Sequence, residues 1–299
     1  MLATFEYPLN KVNNKVIALN PSPRKNEAWI SDAKYHTDGI VVGLFNRGSF
    51  YGLYTLRLKK TRENYALDNE NKDHIYLDSL TYSSRISEPF NHTEWEAKSP
   101  KMEGYGGEIS RGVGDVIPDP VVLANITRLF DFTSQINTRW TEHADYIILP
   151  YWVVYAIIIE VFGHWDIDGN NVNLITWDSK HWAIIPYDMD HVLGSTGSQS
   201  ILTFSNWVSN ADGWGTFKTR YAPEIKAMYT KYRRNGFLTV ENIMPYYINH
   251  TKHVPREMYE ADIAKWASIY SNNEPTIEQM MVYLKSRFTF LDTHWLLPA

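Results

Sequence analysis

The chain has 299 residues, of which 44% are hydrophobic and 14% aromatic, and this composition excludes a mainly disordered protein because it can form a substantial core. Its formal net charge of −5 offers no general basic surface for a nucleic-acid backbone, so we predict no nucleic-acid partner. The chain has no cysteine, which excludes disulfides, thiolate metal sites and cysteine nucleophiles.

The apolar segments predict neither a signal peptide nor a membrane span. The first ten residues, MLATFEYPLN, lack the basic and long apolar regions of a signal peptide. The most apolar run, residues 147–162, is short for a bilayer and contains Pro150 and Glu160. We therefore expect no membrane partner, and the sequence leaves the location of the protein open.

The first predicted elements are β-strands. Two apolar blocks in residues 39–58 flank the turn-forming residues Asn46, Arg47 and Gly48, a pattern typical of a β-hairpin. Residues 75–77 predict a further short strand, and residues 83–120, rich in Gly, Pro, Ser and charge, predict a long loop. We expect the strands of residues 40–80 to form a β-rich small lobe.

The later part of the chain is predicted to be mainly helical. Helical spacing of apolar residues predicts a helix at 121–138, and a segment apolar on all sides predicts a buried helix at 150–162. Short strands are predicted at 172–177 and 182–187, followed by a loop and then by helices at 223–232, 240–251, 256–269 and 276–291. This order predicts an α+β fold in two lobes, with residues 1–120 β-rich and residues 121–299 mainly helical.

Residues 163–194 contain the pattern with the clearest chemical meaning. The loop after the buried helix holds five acidic or amide residues, and two more acidic residues follow the second strand: Asp166, Asp168, Asn170, Asn171, Asn173, Asp188 and Asp190. A hairpin between the two groups would bring their oxygens together. Carboxylate and amide oxygens are the ligands of hard cations such as Mg²⁺, so we predict a divalent-metal site that includes Asn171, Asp188 and Asp190.

The same spacing is found in protein kinases. His164 and Asp166 match the catalytic-loop His-x-Asp, Asn171 follows Asp166 by five residues, and Asp188 follows a hairpin of suitable length. We assign His164 to orientation of the loop. Two other interpretations stay open: Asp and Asn are common in ordinary turns, and the loop also resembles a calcium loop. An EF-hand is disfavoured because Gly169 is at the fourth position and Trp177 replaces the bidentate Glu.

Three segments together resemble the CotH family of atypical kinases: residues 50–56 (FYGLYTL), residues 163–174 (GHWDIDGNNVNL) and residues 185–194 (IPYDMDHVLG). The resemblance implies one protein-kinase-like domain over residues 1–299, with residues 163–194 as its catalytic-loop hairpin. It implies ATP with Mg²⁺ or Mn²⁺ as cofactors, Ca²⁺ being the weaker alternative, and phosphate transfer to Ser or Thr of a protein partner. It makes Asp166 the catalytic base and Asn171 and Asp188 metal ligands.

The chain departs from the family pattern at the phosphate-binding half of the site. Residues 50–56 are followed by Arg57 and Leu58, where the family usually has an acidic residue, and residues 75–77 lack the family's phosphate-contacting Lys. Lys59, Lys60 or Arg62 are the candidate replacements, with a solvated strand end as the alternative. A rival hypothesis is therefore a structural or binding domain of a virion, such as a phage tail, or of a spore coat, with tail or coat proteins as partners. A third is a calcium-stabilised adhesion module.

Overall fold

The structure is a computed structural model, and it describes residues 39–57, 61–80, 84–100, 119–164, 171–189, 192–194, 214–268 and 276–299. It combines α-helices and β-strands, which confirms the predicted α+β class. Within these ranges, none of the helices has the length and apolar character needed to cross a membrane.

In the part of the chain that the structure describes, six strands form two antiparallel sheets. The strands are β1 (Gly39–Asn46), β2 (Ser49–Arg57), β3 (Ile75–Ser79), β4 (Trp95–Ser99), β5 (Val172–Thr176) and β6 (Trp182–Pro186). β1 pairs with β2 alone, and the other four form a sheet in the order β4-β3-β5-β6. This sheet takes two strands from each side of residue 120, so it joins the two predicted lobes.

Eight helices lie in the described ranges. They are α1 (Pro120–Ser134), α2 (Ile136–Arg139), α3 (Leu149–Phe162), α4 (Trp214–Arg220), α5 (Ala222–Arg234), α6 (Val240–Thr251), α7 (Arg256–Lys265) and α8 (Ile277–Trp295). Short 3-10 helices span Arg62–Tyr65 and Trp140–Asp145. The long predicted helices are confirmed. Residues 83–120, predicted to form a long loop, contain one short strand, β4, and α4 lies between the loop predicted beyond Gly194 and the next predicted helix.

The β1–β2 hairpin packs on α7 rather than on the larger sheet. Its two-residue turn has positive φ angles at Arg47 (50°) and Gly48 (82°), the geometry that suits a tight hairpin. The amide of Leu53 donates to the Oδ1 of Asp262 at 2.7 Å. A Cβ at Gly52 would lie only 2.9 Å from the indole Nε1 of Trp266, so this close approach requires glycine.

The two faces of the four-stranded sheet differ in polarity. Side chains alternate along a strand, and on one face Leu77, Leu174 and Ile184 lie in register and are fully buried. We call the opposite face the polar face. It is formed by Tyr76, Asp78, Glu96, Lys98 and Asn173.

Helix α3 forms the centre of the helical region. Every residue from 151 to 162 is buried, as expected for a helix that is apolar on all sides. It ends at Gly163, whose φ of 66° is the left-handed conformation common at a helix C-terminus. The segment that begins the candidate site therefore starts from a rigid, buried helix end.

Candidate functional site

The β5–β6 hairpin places two predicted metal ligands at the same end of the sheet. Val172 pairs with Pro186, so Asn171 lies just before β5 and Asp188 just after β6, at the open end of the hairpin. Both residues have positive φ angles, 59° and 54°, a conformation that Asn and Asp adopt more readily than most residues. Asn171 is only 6% exposed.

The C-terminus of α3 connects the two loops of the predicted site. The amide of His164, at the start of the first loop, donates to the carbonyl of Ile159 at 3.1 Å. The amide of Leu193, beyond the second loop, donates to the carbonyl of Phe162 at 2.8 Å. The chain segments that enter the first loop and leave the second therefore meet at one helix end. His164 is fully buried there, and its orienting role stays a prediction.

Several predicted site residues lie outside the described residues: Lys59, Lys60, Asp166, Asp168, Asn170 and Asp190. Arg62, the described member of the predicted basic group, forms a 2.8 Å ion pair with the neighbouring Glu63. In the part of the chain that the structure describes, no group of three or more His, Cys, Asp or Glu side chains is placed to hold a metal. An amide oxygen and a carboxylate, as in Asn171 and Asp188, are ligand types that Mg²⁺ accepts, usually together with waters and phosphate oxygens.

A partly buried lysine that the sequence analysis missed lies on the polar face. The Nζ of Lys98 is 3.2 Å from the Oδ2 of Asp78 and 3.1 Å from the Oε2 of Glu96. Burial lowers the pKa of Lys98, but the two carboxylates raise it by more, so its pKa lies above the ordinary value and the ammonium stays charged. The alternation Trp95-Glu96-Ala97-Lys98-Ser99 was the sequence signal for a strand carrying this lysine.

Hydrogen bonds connect the polar face to the open end of the hairpin. Asp78 lies directly opposite Asn173, and Asn173 follows Asn171 by two residues. The hydroxyl of Tyr76 donates to the Oδ1 of Asn173 at 2.7 Å. At the strand ends, the amide of Val172 donates to the Oγ of Ser79 at 2.9 Å. The lysine and the predicted metal ligands thus belong to one hydrogen-bonded sheet.

Residue 77, where the resemblance to CotH proteins would place a lysine, faces the other side of the sheet. Leu77 is fully buried and pairs with Leu174 on one side and Ala97 on the other. A lysine at residue 77 would therefore enter the apolar layer and would not reach the polar face.

Helix α8 contacts both the end of α3 and Gly194. Glu160 of α3 is fully buried, and its carboxylate is 2.6 Å from Arg287 and 2.6 Å from Lys218. Arg287 also donates through Nε to the backbone carbonyl of Glu160 at 2.6 Å. One turn away, the ring of Tyr283 packs against Gly194, where an added Cβ would lie 3.1 Å from Cδ2. These contacts fix the end of α3 relative to the turn after β6.

Comparison with known proteins identifies no family. No protein-family model matches the chain, and no curated protein matches it. The function proposed below therefore rests on the residues and their geometry.

Proposed function

We propose that the protein is a CotH-like atypical kinase with a two-lobed kinase-like fold. In this proposal it binds ATP with Mg²⁺ or Mn²⁺ and transfers phosphate to Ser or Thr of a protein partner. The observation that supports it most strongly is the meeting of the two loop ends. Asn171 and Asp188 share one end of the β5–β6 hairpin, and Leu193 is hydrogen-bonded to the end of α3 that leads into the other loop.

In this proposal each site residue has a separate role. Asn171, Asp188 and Asp190 hold the divalent cation, and Asp166 accepts the proton of the substrate hydroxyl. The cation, when bound, offsets negative charge on the phosphates. Phosphoryl transfer depends on positioning and on charges aimed at the phosphates, so a basic side chain is also needed.

Lys98 is the described residue best suited to that basic role. Its ammonium is charged, and two carboxylates hold it on the polar face. Such pairing orients a lysine, as a Lys–Glu pair does in protein kinases. Lys59, Lys60 and Arg62 stay candidates for an outer position along the phosphates.

A second function, a structural or binding domain of a virion tail or spore coat, is favoured by the β1–β2 hairpin. Ile40, Phe45 and Leu56 on this hairpin are more than half exposed. Exposed apolar patches often mark protein–protein contact sites. A protein of this class would keep the fold and the partner surface without phosphate transfer.

Incubation with γ-labelled ATP and Mn²⁺ separates the two functions. The kinase proposal predicts labelling of the protein or an added protein substrate, with loss of labelling in Asp188→Asn. Asp131→Asn is the matched control, because Asp131 is exposed on α1 and its change should leave labelling intact. Absence of labelling in the unaltered protein, with no binding of nucleotide or metal at millimolar concentration, would favour the structural function. Binding of Ca²⁺ without nucleotide would favour the adhesion module.

A further inference from the structure

Asn173 has a hydrogen-bonding group that the fold leaves unused. The residue is fully buried in β5, and its Oδ1 accepts the hydroxyl of Tyr76. Among the residues that the structure describes, its amide Nδ2 has no hydrogen-bond partner. Buried donors without partners are rare in folded proteins, because removing a polar group from water without compensation is costly.

The orientation of the Asn173 amide follows from Tyr76. Burial raises the pKa of Tyr76 well above its ordinary value, and the nearby Tyr65 and Asp78 raise it further. Tyr76 therefore stays protonated, and its hydroxyl donates a hydrogen bond to Oδ1. This leaves Nδ2 as the group with unmet hydrogen-bonding capacity.

Structural needs alone do not explain a polar residue here. Along the same face of the sheet, the neighbours of Asn173 are Ile175 in its own strand and Ile185 directly opposite in β6. Leucine in place of Asn173 would continue that surface without the unsatisfied Nδ2 donor. Replacing both partners of a buried hydrogen bond by apolar groups of similar shape is close to neutral.

The position of Asn173 connects it to the candidate site. Asn173 lies opposite Asp78, the carboxylate that binds Lys98, and it follows Asn171 by two residues. The polar face reaches solvent along Glu96 and Lys98, whose side chains are 12% and 23% exposed. In the proposed function the ligand is held at the open end of the hairpin, beside Asn171 and two residues along the chain from Asn173.

We propose that Asn173 is a ligand-binding residue whose Nδ2 donates a hydrogen bond to an acceptor atom of the bound nucleotide. The inference rests on the proposed function, and it adds a specificity residue to that site. The acceptor belongs either to the nucleoside or to the phosphate chain. Both parts of the nucleotide carry lone pairs that can accept this hydrogen bond.

The test compares the unaltered protein with the Tyr76→Phe/Asn173→Leu double variant, which removes both polar partners. We expect the double variant to melt at the same temperature as the unaltered protein or higher. We also expect its affinity for ATP with Mn²⁺, measured by titration calorimetry, to fall by about tenfold or more. A merely structural pair would give the opposite result, a lower melting temperature and unchanged affinity. Tyr76→Phe alone is the matched control, because it leaves Nδ2 in place and should keep most of the affinity.

Titration with tripolyphosphate and Mn²⁺ identifies the source of the acceptor. Loss of tripolyphosphate affinity in the double variant assigns the acceptor to the phosphates, whereas loss for ATP alone assigns it to the nucleoside. If the double variant binds ATP as tightly as the unaltered protein, or melts several degrees lower, the inference is wrong and the proposed function stands. If the unaltered protein binds neither ATP nor Mn²⁺, the proposed function fails and the inference fails with it.

Discussion

Replacement of Lys98 by Met tests whether the ion pairs of Lys98 with Asp78 and Glu96 stabilise the fold. The change removes the ammonium and leaves two carboxylates facing each other, one of them, Asp78, only 3% exposed. Breaking a fully buried ion pair costs about 3–5 kcal/mol, and an exposed pair contributes at most about 1 kcal/mol. Since the Lys98 side chain is 23% exposed, we expect Lys98→Met to lower the free energy of unfolding by about 2–3 kcal/mol.

The stabilisation by Lys98 has a defined pH dependence. The pKa of Lys98 is raised in the folded protein above its ordinary value of 10.5. The contribution is therefore complete below pH 10.5 and is lost as the pH rises through the folded-state pKa. Urea unfolding at a series of pH values should show a constant difference between the unaltered protein and Lys98→Met up to about pH 10, narrowing above it.

A control variant and a second measurement complete the Lys98 experiment. Lys180 is an exposed lysine at the closed end of the hairpin, so Lys180→Met should change stability by no more than about 0.5 kcal/mol. If Lys98 also acts on phosphate, Lys98→Met should lower ATP-dependent labelling by about 10²–10³-fold at temperatures where the variant is folded. An unfolding free energy and a labelling rate equal to those of the unaltered protein would refute the reasoning.

Two further changes test the residues that surround the site. Arg287→Met leaves the buried Glu160 with Lys218 alone and should cost about 3–5 kcal/mol in urea unfolding; a loss below 1 kcal/mol would contradict the role of this pair. Leu77→Lys, which the family pattern suggests as a gain of function, should instead destabilise the protein because the ammonium would be buried in an apolar layer. Its melting temperature should fall and its labelling should not rise, and increased labelling would show that residue 77 reaches the phosphates.

The elements that the sequence predicted well are those with local signals. Helix α3 has an apolar run broken only near its end by Glu160, and the β1–β2 hairpin has a turn with Arg47 and Gly48 at its centre. Strand β4 was missed because its alternation covers only five residues and lies within a stretch rich in Gly, Pro, Ser and charge, and its pairing with β3 identifies it as a strand. Helix α4 was missed because its seven residues are too few for a clear periodic pattern.

In the candidate site too, residues joined by a short hairpin could be predicted to lie together, whereas contacts between residues distant in sequence could not. Asn171 and Asp188 could be paired from sequence, because a short hairpin joins them. The contact of Lys98 with Asp78 could not be predicted from sequence, because it depends on the register of β3 and β4. The pair of Glu160 and Arg287 joins residues 127 positions apart, and no sequence spacing predicts such a contact.

The central claim is that the open end of the β5–β6 hairpin holds a divalent cation. Titration with Mn²⁺ in the presence of ATP, followed by electron paramagnetic resonance, measures this directly. We expect saturable binding by the unaltered protein and by the Asp131→Asn control. We expect Asn171→Leu and Asp188→Asn each to weaken binding by about tenfold or more. Absence of saturable binding, or equal affinity in Asp188→Asn, would contradict the claim.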